Sequence, residues 1–178
     1  MKDVKVLDRQ FSEYLTSDEI QSRISALAEK INEDLKGQDV LFFGILNGSF
    51  LFAADIFRQI TLEAQISFIK LASYDGTSST GKIKELIGWN DDLNGKTVIV
   101  IEDIVDTGGT LERIVGELEI RKAGEIRIAS LLYKPAAYTK HFPIDYVGFE
   151  IPNDFVVGYG LDYNGYGRNL PAIYTLVH

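Results

Sequence analysis

The stretch that decides the fold of this chain is VIVIEDIVDTGGT, from Val98 to Thr110. It begins with β-branched apolar residues, a run typical of a strand buried in a parallel sheet. It ends in Thr-Gly-Gly-Thr, after which the chain carries apolar residues at helical spacing: Leu111, Ile114, Val115 and Leu118. The stretch therefore predicts a strand, a tight turn and a helix in succession.

Three carboxylates, Glu102, Asp103 and Asp106, lie between this strand and this helix. The glycines of the turn let backbone N–H groups point into one concavity at the helix N-terminus, which suits a phosphate. The carboxylates suit either a hard cation such as Mg²⁺ or a proton transfer. If the strand continues through Glu102 and Asp103, these neighbours point to opposite faces of the sheet. The residues alone predict a phosphate site beside an acidic cluster.

Strand-like and helix-like patterns alternate along the rest of the chain. We predict strands at 40–46, 65–71 and 125–133, a helix capped by Thr16 or Ser17, and a helix over 50–60. Alternation of this kind predicts an α/β protein, with an open, mainly parallel sheet flanked by helices on both faces and a site at the carboxyl ends of the strands. Because no linker-like segment interrupts the pattern, residues 1–178 are predicted to form a single domain.

Composition excludes several classes of function. The formal net charge of −8 argues against broad nucleic-acid binding, which needs a basic surface. The chain has no cysteine and two histidines, which excludes disulfides and thiolate metal sites and disfavours a histidine-rich zinc site. It has no signal-like apolar core and no apolar run of membrane-spanning length, so we expect a cytoplasmic protein without a membrane partner.

The stretch from Val98 to Thr110 resembles the phosphoribosyl-diphosphate signature of the type I phosphoribosyltransferases. A second stretch, NDFVVGYGLDYN from Asn153 to Asn164, resembles the purine-binding segment of the hypoxanthine and hypoxanthine-guanine members of that family. Between about Val40 and Leu170 the motifs follow the family's order. The resemblance implies the type I phosphoribosyltransferase fold, with a small hood built from N-terminal residues and residues from about 150 to 178.

For the central motif the resemblance implies distinct roles. The turn that would cradle the 5′-phosphate of phosphoribosyl diphosphate comprises Thr107, Gly108, Gly109 and Thr110. Glu102 and Asp103 would bind the ribose hydroxyls and Mg²⁺. Asp106 would lie near N7 of the purine as the catalytic general base or acid.

Other segments would hold the diphosphate. The resemblance assigns it to Leu46, Asn47 and Gly48, with a cis peptide between Leu46 and Asn47, and to Arg168, whose fork suits phosphate oxygens. Many relatives have a basic residue where this chain has Asn47, so one cation is missing here. Ser73 and Tyr74 would form the base of a mobile lid, within the loop at 72–88, that excludes water from the reacting sugar.

Four residues would bind the purine side. Lys134 would bond the 6-oxo group, because an ammonium only donates and so disfavours the 6-amino group of adenine. Phe155 would stack on the base, and the backbone of Val156 would read its edge. Asp162 would help to hold a second Mg²⁺.

The implied activity is purine salvage. Phosphoribose would pass from 5-phosphoribosyl diphosphate to hypoxanthine, with guanine as a second acceptor, giving IMP or GMP and pyrophosphate. The implied partners are these small molecules, and the implied assembly is a homodimer or homotetramer. Two alternatives remain: a regulator of this fold that binds RNA or DNA, which the acidic balance opposes, and an enzyme that prefers guanine or xanthine.

Overall fold

The computed structural model describes residues 2–71, 85–87 and 92–177. The first part of the described chain runs β1 (Asp3–Val6), β2 (Arg9–Leu15), α1 (Ser17–Asp34), β3 (Asp39–Ile45), α2 (Phe50–Phe57) and β4 (Glu63–Leu71). It continues with β5 (Glu85–Ile87), β6 (Thr97–Val105), α3 (Gly109–Ile120), β7 (Glu125–Tyr133), β8 (Tyr146–Glu150), β9 (Val156–Val157) and β10 (Ile173–Leu176). These elements build two sheets.

The larger sheet has the strand order β5-β4-β3-β6-β7-β8. Its strands are parallel except for β5, which runs antiparallel to β4. The apolar stripes of α1 and α2 pack on one face of the sheet, and α3 packs on the other. The predicted open, mainly parallel sheet with helices on both faces is therefore confirmed.

Strand β6 lies at the centre of this sheet, and Val98 to Ile101 are fully buried. The strand is longer than its apolar run, because pairing with β7 continues through Glu102, opposite Ser130, and on to Val105, opposite Tyr133. Glu102 and Asp103 therefore lie within the strand, and strand alternation points them to opposite faces.

The smaller sheet has the order β1-β2-β10-β9 and is antiparallel. It encloses a core of its own: Val6, Phe11, Val157, Ala172 and Tyr174. Strands β1 and β2 thus form a hairpin, which the weak apolar pattern of the N-terminal segment does not predict. Its strands find their hydrophobic partners near the other end of the chain, which local sequence cannot show.

Helix boundaries follow local signals closely. Thr16 caps α1 in a capping box, accepting from the Glu19 N–H while the Glu19 carboxylate accepts from the Thr16 N–H. Helix α2 ends at Phe57, about a turn before the predicted end at residue 60. In the described ranges, no helix is long and apolar enough to cross a membrane.

Candidate active site

A cavity of about 400 Å³ opens where β3 and β6 end. Its lining comprises Ile45, Leu46, Gly48, the run 102–111 and Arg113. The carboxyl ends of parallel strands and the helix N-termini that follow them form the usual binding crevice of such a sheet. The stretch that decides the fold is therefore also the main wall of this cavity.

The turn before α3 depends on a glycine. Gly108 has φ +85° and caps the helix from the left-handed region. A Cβ at this position would also come within 2.6 Å of the Tyr138 ring and 2.7 Å of the Lys140 side chain. Because the first turn of a helix has N–H groups without intrahelical partners, the loop presents donors to the cavity.

The segment after β7 holds this turn in place. The N–H and the hydroxyl of Thr139 both donate to the Thr107 carbonyl, at 3.3 and 3.2 Å. The Lys140 ammonium lies 2.7 Å from the Glu112 carboxylate on α3. The sequence analysis assigned no role to Thr139 and Lys140, because they match no motif and meet the turn and α3 only through tertiary packing.

The loop between β3 and α2 contains a cis peptide between Leu46 and Asn47, as the resemblance implies. Its base is tied to the sheet: the Leu46 N–H donates to the Ile69 carbonyl at 2.8 Å, and the buried Ser49 hydroxyl donates to the Ile45 carbonyl at 2.7 Å. The Asn47 side chain is exposed.

Gly48 lies directly against the Asp103 carboxylate. A Cβ at Gly48 would overlap that carboxylate, so the two chain segments can approach only because residue 48 has no side chain. Asp103 also accepts a hydrogen bond from the Ile104 N–H at 2.9 Å. The loop after β3 and the acidic end of β6 therefore form one packed unit.

The surroundings of both acids at the end of β6 disfavour their charged form. Burial raises the pKa of Glu102 well above its ordinary value, and the negative charge of Asp103 adds to the shift. Burial raises the pKa of Asp103 to about 6, against the lowering effect of the Ile104 N–H and of the Arg168 charge. A proton or a cation at this place would relieve the cost of burying the charges.

Lys134 follows β7, so it comes to the same edge of the sheet as the turn after β6. Its side chain is mostly buried, and its ammonium lies 3.3 Å from the half-exposed Asp106 carboxylate. The Lys134 N–H donates to the Val105 carbonyl at 2.9 Å, which holds the residue beside β6. The structure thus places a donor-only group beside a carboxylate that lines the cavity.

The aromatic segment around β9 combines exposed and buried positions. Phe155 is 46% exposed, and its ring lies 6.0 Å from the Tyr163 ring and 6.3 Å from the buried Phe11 ring. Val156, in contrast, is buried with its side chain in the core. The exposed face of Phe155 is available to a flat apolar ligand.

Asp162 and Arg168 pair with each other. The Arg168 guanidinium lies 2.6 Å from Asp162 and donates to the Gly160 carbonyl at 2.6 Å. The other Asp162 oxygen accepts from the Gly165 N–H at 2.6 Å. This loop meets the β3–α2 loop, since a Cβ at Gly160 would overlap the Gly48 carbonyl.

The predicted lid and the predicted Mg²⁺ site are not tested by this geometry. Ser73 and Tyr74, with most of the predicted lid, lie outside the described residues. Within those residues, no group of three or more His, Cys, Asp or Glu side chains lies close enough together to hold a metal ion by itself.

Comparison with known proteins defines the class. A family model described as a phosphoribosyl transferase domain matches residues 10–164, so the chain belongs to the phosphoribosyl transferase family. Its curated relatives narrow the class to proteins that act on purines. A hypoxanthine-guanine phosphoribosyltransferase of Mycobacterium avium is 41% identical over 169 residues, which span 91% of this chain and 83% of the relative. A hypoxanthine phosphoribosyltransferase of Escherichia coli is 39% identical over 158 residues, 87% of this chain and 89% of the relative.

Solved structures agree with this placement. A crystal structure of a hypoxanthine-guanine phosphoribosyltransferase from Bacillus anthracis superposes with a TM-score of 0.86 at 36% identity, covering 94% of this chain and 97% of that one. A hypoxanthine phosphoribosyltransferase from Staphylococcus aureus also gives 0.86 at 38% identity, covering 93% of this chain and 91% of that one. The similarity therefore extends over both sheets.

The raised pKa of Asp103 predicts a pH-dependent effect on stability. Since the pKa is about 6 in the folded protein, against an ordinary value of 3.8 for an aspartate in water, protonation favours folding. That stabilisation is full below about pH 4 and is lost as the pH rises through 6. Asp103→Asn, which mimics the protonated acid, should raise the free energy of unfolding by about 1–3 kcal/mol at pH 7.5 and leave it unchanged near pH 4.

Urea denaturation in metal-free buffer across this pH range measures the effect. Asp39→Asn, at the exposed start of β3, is the matched control for the loss of one negative charge. A difference between the Asp103 variant and the unaltered protein that stays constant from pH 4 to 7.5 would show that burial of the charge is not its cause.

Proposed function

We propose that this protein transfers phosphoribose from 5-phosphoribosyl diphosphate to N9 of hypoxanthine, with guanine as a second acceptor, and releases pyrophosphate. The observation that carries the proposal is the Lys134–Asp106 pair, 3.3 Å apart, whose carboxylate lines a cavity walled by the turn before α3. A 6-oxopurine offers a carbonyl acceptor beside an N7 proton, which these two side chains complement. The names of the relatives support the same acceptors.

On the donor side, the turn from Thr107 to Thr110 takes the 5′-phosphate. Its backbone N–H donors can bind the phosphate oxygens, and the positive end of the α3 dipole favours the negative charge. The backbone of Leu46, Asn47 and Gly48, across the cavity, takes the diphosphate. Arg168, which already lies beside Gly160 and the Gly48 loop, adds a guanidinium to that end.

The acids at the end of β6 fit Mg²⁺. Glu102 is buried and Asp103 is partly buried, and desolvation raises the pKa of both carboxyls, so a nearby cation would relieve the cost of placing them there. Mg²⁺ commonly takes one or two carboxylates together with phosphate oxygens and water, and so does not need a cage of three side chains. Asp162 is the candidate for a second ion. When bound, Mg²⁺ supplies charge neutralisation for the departing diphosphate.

On the acceptor side, Lys134 donates to the 6-oxo group, Phe155 stacks on the base, and the Val156 backbone reads its edge. As N9 forms its bond to the ribose carbon, the purine must lose the proton on N7, and Asp106 accepts it. The sugar develops positive charge as diphosphate leaves, so the half-exposed Asp106 carboxylate also suits the transition state.

Exclusion of water completes the proposed mechanism, since water could otherwise capture the reactive sugar. We assign this role to a lid with Ser73 and Tyr74 at its base, and to the smaller sheet acting as a hood over the base. Phe11 on β2 supports this assignment, because it packs against Phe155.

A pyrophosphate-release assay with hypoxanthine, guanine, xanthine and adenine, each with and without Mg²⁺, tests the proposal. We expect release with hypoxanthine and guanine, loss of activity without Mg²⁺, and little release with adenine, because Lys134 has no acceptor to offer its amino group. Release with adenine alone, or nucleic-acid binding in a gel shift without any release, would overturn the proposal.

Asp106→Asn should lower kcat by about 10²- to 10⁴-fold, because the amide cannot accept the N7 proton. The dissociation constant for phosphoribosyl diphosphate, measured by calorimetry, should change only a few-fold, since the donor site is intact. Asp39→Asn again controls for the charge change. Unchanged turnover in the Asp106 variant removes this residue from the chemistry.

Lys134→Ala should raise the KM for hypoxanthine about 10- to 100-fold, the usual effect of losing a hydrogen bond from a charged donor. The KM for phosphoribosyl diphosphate should change little. Lys36→Ala, an exposed lysine beyond α1, is the matched control. Equal hypoxanthine affinity in the Lys134 variant and the unaltered protein contradicts the assignment.

A further inference from the structure

Tyr159 combines deep burial with a demanding backbone. It is 4% exposed and has φ +46°, between Gly158 at +100° and Gly160 at +99°. The glycines adopt this left-handed region freely, but it is uncommon for a residue with a large side chain. A tyrosine is kept in such a place when its side chain makes contacts that outweigh the backbone cost.

The Tyr159 hydroxyl makes those contacts with α1 and α2, the two helices that pack on one face of the larger sheet. It donates to the Asp55 carboxylate on α2 at 2.5 Å. The Gln21 side chain on α1 donates to the same carboxylate oxygen at 2.9 Å and reaches the hydroxyl at 3.4 Å. Burial and the bond to Asp55 raise the pKa of Tyr159 above its ordinary value, so the phenol stays a donor.

Each end of this network leads directly to one half of the proposed site. Helix α2, which carries Asp55, begins immediately after the Leu46–Ser49 loop. Tyr159 follows Val156 by three residues and precedes Asp162 by three. The hydroxyl therefore joins the base-binding segment to the helix that supports the diphosphate loop.

The backbone beside Tyr159 touches the same loop. Gly160 packs so closely on the Gly48 carbonyl that a Cβ there would overlap it. The Gly160 N–H donates to the Arg168 carbonyl at 3.0 Å, and the Gly160 carbonyl accepts from the Arg168 guanidinium. A shift of Tyr159 would therefore move Arg168 and the loop contact together.

We infer that Tyr159 and Asp55, supported by Gln21, are positioning residues of the transfer reaction. They set the distance between the segment that binds the purine and the loop that binds the diphosphate. The inference rests on the proposed function. Transfer needs N9 to approach the ribose carbon in line with the departing diphosphate, so a shift of the purine segment relative to the loop would weaken purine binding as well as slow transfer.

Steady-state kinetics of Tyr159→Phe test the inference, because this change removes the hydroxyl and keeps the ring. We expect kcat/KM for hypoxanthine to fall about 10- to 100-fold, with a raised KM for hypoxanthine and a lowered kcat. A purely structural loss would instead reduce the active fraction, lowering apparent kcat while both KM values stay the same. Tyr146→Phe, a buried tyrosine on β8, is the matched control and should keep normal kinetics.

A double-mutant cycle with Asp55→Asn tests whether the hydroxyl acts through the carboxylate. If it does, the double variant should lose no more activity than the worse single variant. Additive losses, or an unchanged hypoxanthine KM in either single variant, overturn the inference. Should Tyr159→Phe not fold, as judged by circular dichroism, the hypoxanthine KM of Asp55→Asn decides alone.

The unaltered protein separates the two proposals. If it releases pyrophosphate with hypoxanthine and the variants match it, the inference fails and the proposed function stands. If it releases none with any purine, both fail.

Discussion

The constraint on which the site depends is the desolvation of two neighbouring carboxyls at the end of β6, Glu102, which is buried, and Asp103, which is partly buried. A charged group inside a protein is costly, and burial raises the pKa values of both Glu102 and Asp103. The fold tolerates this free-energy cost because β6 is a central strand. It is paired on both sides, and its apolar half is fully buried. A strand held so firmly can present acids to a cavity without rearranging.

Close backbone contacts transmit this constraint to the rest of the site. Gly48 lies against the Asp103 carboxylate, and Gly160 lies against the Gly48 carbonyl, so three segments distant in the chain meet at two positions that have no side chain. Such packing places the β3–α2 loop, the end of β6 and the Arg168 loop in direct contact. A reaction between two bound substrates needs its binding groups held at fixed distances from one another, which close packing favours.

Much of the fold and of the candidate site could be predicted, because the signals were local. Alternating apolar runs and helix caps located the parallel sheet and its helices, and the acidic stretch with its glycines marked the turn before α3. The N-terminal hairpin was missed since its partner strand, β10, lies more than 150 residues away. Tyr138, Thr139 and Lys140 were missed because their contacts with the turn follow no spacing rule.

The sequence by itself determined the order of β3, β4, β6 and β7 and of helices α1, α2 and α3, the placing of Glu102, Asp103 and Asp106 beside a glycine turn, and a resemblance that the comparisons confirmed as family membership. Periodicity and turn chemistry are properties of neighbouring residues, so they can be read along the chain. The tertiary structure decided which distant groups meet: Lys134 with Asp106, and Tyr159 with Asp55. Those contacts depend on how the strands are ordered and how the two sheets join, and no local pattern encodes them.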